Sequence, residues 1–195
     1  AFDFKVLPGI DKSKIYGTIA KLIRPRDISA ATALEVTAGG KLYHVVVDSD
    51  ETANTIFKNG KLNRRITILP LNKIRGEVLS RNQQDRAAQI QPNCQLALHI
   101  IDFPDDVANA VAHVFGRSLI CPDMDSAKRV TFDKYVRTRC VTLDGDVYDP
   151  SGTLSGGSSS RGRGPSVLIV LGELADAQIQ LQTHEKNITR LLAQR

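Results

Sequence analysis

The sequence predicts an α+β protein built from two related halves and followed by one long C-terminal helix. Three observations support this fold class. Short β-rich runs alternate with short helical segments, a strand–helix–strand pattern occurs twice at one spacing, and an apolar heptad occupies the C-terminus. With 195 residues, the chain can form one substantial domain or two small ones that share a core.

Residue patterns give the elements of the first half in chain order. They are a strand over 15–23, a basic loop at Arg24-Pro25-Arg26, a helix over 30–35 capped by Asp27 or Ser29, a strand over 42–47, a helix over 52–58 and a strand over 65–71. The segment LYHVVV is apolar at successive positions, which is typical of a strand covered on both faces. Residues 72–93 are polar, and the pattern leaves helix and loop open there.

The second half follows the same alternation. Its predicted elements are strands over 96–101 and 119–121, helices over 105–115 and 125–135, and strands over 139–143 and 146–148. The helix at 105–115 has apolar residues at helical spacing, and the Asp144-Gly145 pair between the last two strands favours a hairpin turn.

A weak internal repeat relates the two halves. Val45-Val46-Val47, an acidic cap and Ala53 are followed by Arg65, and Leu119-Ile120-Cys121, an acidic cap and Ala127 are followed by Arg139. The alanine pair and the arginine pair are both separated by 74 residues. Because short strand–helix–strand units also align by chance, the repeat suggests two similar halves without proving them.

The C-terminal part differs in kind from the rest. Residues 151–164 are rich in Gly, Ser and Arg, as in a loop or linker, and Pro165 suits the first turn of a helix. The helix extends to Arg195, with one apolar heptad row at Leu174, Leu181 and Ile188 and a half-filled second row. No second long heptad exists in the sequence, so we expect a coiled-coil arm whose partner lies upstream of Ala1, in a chain cut from the middle of a longer intracellular protein.

Several classes of chemistry find no support in the sequence. The three cysteines are widely spaced and match no zinc pattern, so we expect reduced, partly buried thiols and no metal site. The glycine-rich stretch lacks the Gly-Lys-Ser/Thr of a phosphate-binding loop, and no cofactor is expected. The four histidines are scattered, and His44 and His99 fall in predicted strands as structural residues. No apolar run is long enough to cross a membrane, and no catalytic group is expected.

A net charge of +5 permits a polyanionic partner without requiring one. Basic residues are denser in three segments and form a candidate DNA-binding patch if the fold brings them together: Lys12, Lys14, Lys21, Arg24, Arg26, Lys73, Arg75, Arg161 and Arg163. Four interpretations remain open for the glycine-rich stretch: a solvated linker, a tight turn, the close approach of another chain's strand, and phosphate binding by Arg161 and Arg163.

Four collinear motifs resemble the hinge domain of structural maintenance of chromosomes (SMC) proteins. They are TALEVTAGGKLYHVVVD, TILPLNKI, the VFG…AKRVTFDK stretch and VTLDGDVYDPSGTLSGGS, and the resemblance covers roughly residues 10 to 160. The segments ICPDMDSAKRVTFDK and DGDVYDPSGTLSGG are most similar to the condensin members of the family.

The resemblance implies two related mixed α/β subdomains followed by one coiled-coil helix. Subdomain I with a residual N-terminal arm would span 1–92, subdomain II and the Gly/Ser/Arg loop 93–164, and the start of the C-terminal arm 165–195. It also implies a dimer with the hinge of a second SMC subunit, a heterodimer in condensin or a homodimer in isolation. The family's interface glycines would fall on Gly152, Gly156 and Gly157, with Ser151 departing from the Gly pair of many relatives.

The resemblance further implies a secondary contact with DNA, at the early basic cluster from Lys12 to Arg26 and at Arg161 and Arg163. The family's ATPase head motifs are absent from the sequence. The association hypothesis competes with a nucleic-acid-binding module whose self-association is incidental. An enzyme ranks third.

Overall fold

The computed structural model describes residues 11–59, 65–156 and 166–193. The β-strands within these ranges are β1 Ile15–Thr18, β2 Arg24–Pro25, β3 Val45–Val47, β4 Ile68–Pro70, β5 Gln95–Leu96, β6 Ile101–Asp102, β7 Ser118–Cys121, β8 Arg139–Thr142, β9 Val147–Tyr148 and β10 Leu154–Ser155. The α-helices are α1 Ile19–Leu22, α2 Ala31–Ala38, α3 Asp50–Asn59, α4 Arg81–Ile90, α5 Ala108–Phe115, α6 Met124–Thr131 and α7 Val167–Ala193.

The two halves share one topology. In the first half β1 pairs antiparallel with β3, and β3 pairs parallel with β4 across the connection that contains α3. In the second half β5 pairs antiparallel with β7, and β7 pairs parallel with β8 across the connection that contains α6. β2 pairs antiparallel with its counterpart β6 and joins the halves as a two-stranded ribbon. The α+β fold with two related halves is therefore confirmed, and β9 and β10 extend only the second sheet.

A central apolar core lies between the two sheets. On β3, Val46 faces this shared core, whereas Val45 and Val47 pack with Ala53 and Ile56 of α3. On β7, Ile120 faces the shared core, whereas Leu119 packs into the cluster that contains α6. The core strands are therefore covered on both faces, which explains why their residues are apolar at successive positions.

Several predicted strands are shorter in the structure because short helical turns interrupt them. The strand predicted over 15–23 ends at Thr18, where α1 begins, and the one over 96–101 is split by a 3-10 turn at Ala97–Ile100. The strand over 42–47 retains only β3, since Gly39–Tyr43 is also a 3-10 turn. The prediction that His44 and His99 lie in strands is therefore wrong.

The polar region left open by the pattern contains α4. Its start is fixed by a capping box, in which the Ser80 hydroxyl accepts from the Gln83 backbone N–H and the Gln83 side chain accepts from the Ser80 backbone N–H. The sequence Ser-Arg-Asn-Gln matches the capping-box pattern, so the start of this helix could have been predicted from the sequence.

The connection between the halves crosses α5 at a very short distance. The Leu79 N–H donates to the Gly116 carbonyl at 2.8 Å, and the Gly116 N–H donates to the Ala112 carbonyl at 2.7 Å. A Cβ at Gly76 would lie 2.8 Å from the Asn109 carbonyl oxygen of α5, and one at Gly116 would collide with the Glu77 carbonyl oxygen of the connection. Only glycine allows the two backbones to approach this closely.

Within the described ranges, no helix combines the length and the apolar character that crossing a membrane requires.

Candidate association surface

β10 forms one edge of the five-stranded sheet, whose order is β10-β9-β8-β7-β5. Leu154 and Ser155 pair with Tyr148 and Val147 of β9 on one side. On the other side no strand of the described chain adjoins β10. Leu154 is 62% exposed, which is unusual for a leucine in a sheet. An unpaired strand edge with an exposed apolar residue can accept another strand by backbone hydrogen bonding.

Hydrogen-bond alternation defines which groups of β10 point outward. The Asp149 N–H donates to the Thr153 carbonyl at 3.0 Å, which makes this pair the hydrogen-bonded position next to the turn. In an antiparallel ladder the following pair does not exchange hydrogen bonds, and the pair after that does. The N–H and C=O of Leu154 therefore point away from β9, whereas those of Ser155 point toward it.

Gly152 lies in the turn before β10 with a φ of 98°, a conformation that strongly favours glycine. No atom lies within 4 Å of the position that its Cβ would take. The adjoining Ser151 donates from its backbone N–H at 2.9 Å and from its hydroxyl at 2.6 Å to Asp149 Oδ1. Asp149 and Ser151 thus stabilise the turn, and Ser151 has a role inside this chain.

Gly156 follows β10, and a Cβ there would collide with the Asp146 side chain, including its Cβ at 3.2 Å. Any larger residue at 156 would therefore force the Asp146 side chain to move. Gly157 lies outside the described residues. A role for Gly152, Gly156 and Gly157 in contacting a partner remains a prediction.

The first turns of the C-terminal helix α7 are anchored to the body formed by the two halves. Glu35 Oε1 on α2 accepts from the Ser166 hydroxyl at 2.5 Å and from the Leu168 N–H at 2.9 Å. A carboxylate at a helix N-terminus is favourable because it satisfies free N–H groups and opposes the helix dipole. Leu168 is buried in the shared core, and Asp176 pairs with Arg24 at 2.7 Å. The orientation of the helix is thus fixed by the body.

Beyond these contacts α7 presents an apolar row to solvent. Leu174, Leu181 and Ile188 are more than half exposed, and they recur at intervals of seven. Leu171 instead packs against the shared core. An exposed heptad row of this kind indicates a coiled-coil strand without its partner in the described chain.

The candidate DNA-binding residues lie in several separate places of the fold. Lys12 and Lys14 lie in a 3-10 turn before β1, Lys21 lies on α1, and Arg24 lies on β2; α1 and β2 both contact α7. Arg24 and Arg26 form surface ion pairs with Asp176 and Asp102. Arg161 and Arg163 lie outside the described residues.

Lys73 and Arg75 follow β4 and line a cavity that the sequence analysis did not identify. Lys41, His113, Arg117 and Arg139 line it as well. These residues come from four separate segments, and no local sequence signal connects them.

The cysteines form a buried thiol cluster in the second half. The Sγ atoms of Cys94 and Cys121 are 2.9 Å apart, and Cys140 lies on the neighbouring strand β8. All three thiols are free and buried, deeper than the partial burial expected from the sequence. The hydrogen bonds of Cys121 with Cys140 and Cys94, together with burial, raise the pKa of Cys121. This thiol therefore stays protonated, which suits a role in packing.

The sequence and the fold were compared with known proteins. The family model described as SMC proteins Flexible Hinge Domain matches residues 12–131. Structural maintenance of chromosomes protein 2-1 of Arabidopsis thaliana is 46% identical over 186 residues, covering 94% of this chain and 16% of the relative. Structural maintenance of chromosomes protein 2 of Homo sapiens is 43% identical over 175 residues, covering 88% of this chain and 14% of the relative. The chain thus spans about a sixth of these relatives.

Solved structures agree with the sequence comparison. The asymmetric dimer of the Geobacillus stearothermophilus SMC hinge domain aligns with a TM-score of 0.73 and 32% identity, covering 95% of this chain and 72% of that chain. The Pyrococcus furiosus SMC protein hinge domain aligns with a TM-score of 0.62 and 31% identity, covering 77% of this chain and 76% of that chain. With most of its body matched in sequence and in fold, the chain belongs to the SMC flexible hinge domain family.

Proposed function

We propose that this chain is a non-enzymatic dimerisation hinge that pairs with the hinge of a second SMC subunit and so joins two coiled-coil arms. The observation that carries the proposal is the outer edge of β10, which pairs with no strand of the described residues, in a body to which α7 is anchored. An edge strand supplies backbone donors and acceptors for a partner strand, and the anchored helix gives the arm a defined direction.

The relatives support a more specific assignment. The curated relatives named as structural maintenance of chromosomes protein 2 favour the condensin subunit, so the partner would be the other condensin SMC hinge. In that role the chain acts in chromosome condensation during mitosis, on chromosomes in the nucleus and partly in the cytoplasm. We also retain the subdomain limits 1–92, 93–164 and 165–195 as part of this proposal.

The first test is the mass in solution, measured by light scattering after size exclusion. We expect this chain mixed with a condensin partner hinge to elute as a one-to-one complex. If the chain forms a homodimer and does not bind the partner hinge, the result would support the hinge function and contradict the heterodimer assignment. A strict monomer in both samples would contradict dimerisation and favour the nucleic-acid-binding alternative.

DNA contact is the secondary function that we propose, at the basic residues near α7 and along the segment after β4. Lys14 and Lys73 each lie close to a carboxylate, at Asp48 and Asp50, so part of their charge is compensated within the chain. We therefore expect modest, sequence-independent binding whose affinity falls steeply as salt rises, because counterions are released from the phosphates. Fluorescence anisotropy with a short duplex measures this, and an affinity unchanged between low and physiological salt would contradict it.

A further inference from the structure

A cavity of about 630 Å³ lies between the two halves on the side of the α5 C-terminus. Its walls come from the end of α2 and the turn after it, from the segment after β4, from α5 and the following turn, and from the first residues of β7 and β8. Because four segments converge here, the position of the lining side chains depends on the assembled fold.

The cavity is strongly cationic. Its charged lining residues are five cations and one carboxylate: Lys41, Lys73, Arg75, Arg117, Arg139 and Glu77. Glu77 pairs with Arg117 at 2.8 Å, so the only carboxylate of the lining is already engaged. Among the described residues, Lys41, Arg75 and Arg139 form no ion pair within 4 Å. Lys73 pairs with Asp50 outside the lining, and Arg139 lies close enough to Asp149 to help lower the pKa of that carboxyl group. The uncompensated positive charge of the lining is therefore that of Lys41 and Arg75.

Arg139 is the least satisfied of these cations. Its Nε is buried and has no hydrogen-bond partner, and its Nη2 donates to the Val36 carbonyl at a long 3.5 Å. A partly buried guanidinium with poor hydrogen bonding is costly in the free protein. An anion in the cavity would lower this cost by neutralising the charge.

His44 reports the same excess of positive charge. Burial lowers the pKa of His44, and the neighbouring charges of Lys41 and His113 lower it further. Burial is the main cause, but Lys41 and His113 both line the cavity, so their contribution indicates that an additional positive charge is unfavourable beside the lining. A negative ligand is the complement of such a site.

We propose that this cavity binds a short polyphosphate chain, either free or as part of a nucleoside triphosphate, without hydrolysing it. Several cations that converge on one concave site match several adjacent phosphate groups, and arginine and lysine are the side chains that bind phosphate oxygens. The site is a half-open concavity, which a short phosphate chain can enter, whereas a rigid duplex could only lie across its mouth. The proposal is independent of dimerisation, because no residue of the β10 edge lines the cavity.

The test is isothermal titration calorimetry of the chain with inorganic tripolyphosphate at physiological salt. We expect saturable binding of one tripolyphosphate per chain. The double variant Lys41→Gln/Arg75→Gln should bind at least tenfold more weakly, because two charge-assisted contacts are lost. Lys58→Gln is the matched control, since Lys58 is an exposed cation on α3 outside the cavity and should leave the affinity unchanged.

Further titrations identify the source of the phosphates. Equal affinities for tripolyphosphate and a nucleoside triphosphate would indicate that the phosphate chain alone is bound, whereas tighter nucleotide binding would add a contact with the base or sugar. The proposal is overturned if tripolyphosphate does not saturate, if the double variant binds as well as the parent, or if Lys58→Gln weakens binding equally. Loss of duplex DNA binding in the double variant, without any tripolyphosphate binding by the parent, would assign the cavity to DNA.

Discussion

Leu154→Pro should weaken pairing with a partner hinge at least tenfold while leaving the chain folded. Proline removes the N–H of Leu154, which points away from β9, so the internal ladder of the sheet loses no hydrogen bond. A partner strand that pairs with this edge loses a backbone donor and meets the proline ring. We expect the dissociation constant, measured by analytical ultracentrifugation or light scattering, to rise at least tenfold.

The matched control is Leu154→Thr, which keeps the backbone N–H and a β-branched side chain but removes part of the apolar surface. We expect a smaller loss of affinity than with proline. If threonine weakens the complex as much as proline does, burial of the leucine side chain and not backbone pairing holds the partner. Native circular dichroism of the proline variant is required, since an unfolded chain would also fail to pair.

The choice of Leu154 over the glycines follows from the packing around Gly156. Glutamate at 156 and 157 would place a charge at the edge, and we expect such a variant to lose affinity. The side chain at 156 would, however, also collide with Asp146 within the same chain. A loss of dimerisation in that variant would therefore combine two causes, whereas proline at 154 leaves the Asp146 contact unchanged and its loss of the leucine side chain is controlled by the threonine variant.

The sequence was sufficient to predict the elements whose residues follow a strong local pattern. The apolar run of β3, the helical spacing of α5 and the 74-residue offset between Ala53 and Ala127 correspond to the observed topology. These signals are local because a strand covered on both faces must be apolar at every position, and a helix that packs on one face must be apolar at helical spacing.

The interruptions of the strands could not be predicted in the same way. The segments at 15–23 and 96–101 contain residues with strand preference, and tertiary packing turns parts of both into helical turns. The same turns position β2 and β6, which pair with each other across the two halves. Each of these strands has only two residues, and the paired residues are 76 or 78 positions apart in the chain. Such a pairing leaves no periodic signal in the sequence.

The cationic cavity was missed for a related reason. Lys73 and Arg75 could be predicted as a basic pair because they are close in sequence. Arg117 and Arg139 line the same cavity but come from distant elements of the chain. The resemblance also predicts Gly152 and Gly156 as contacts with a partner, whereas both have a role within the chain. Gly152 is favoured by the positive φ of its turn, and Gly156 leaves room for the Asp146 side chain.

Gly116→Ala should destabilise the chain strongly, although it adds only one methyl group. The added Cβ would lie 2.5 Å from the Ala112 carbonyl oxygen and would also collide with the Glu77 carbonyl oxygen. Both obstacles are backbone atoms, so no side chain can rotate away, and the connection between the halves must move off α5. We expect a loss of about 3 kcal/mol in the free energy of unfolding, the upper range for overpacking of a well-packed core.

Gly40→Ala provides the matched control for this prediction. Gly40 has open space where its Cβ would lie, and its φ is not in the left-handed region, so the change should alter stability by less than about 0.5 kcal/mol. Denaturant unfolding followed by circular dichroism measures both variants. Equal midpoints for Gly116→Ala and Gly40→Ala would mean that the crossing tolerates a methyl group. A large difference would identify the contact of residues 76–79 with α5 as the joint that holds the two halves of the hinge on one core, because Val111 and Phe115 enter that core from the same helix.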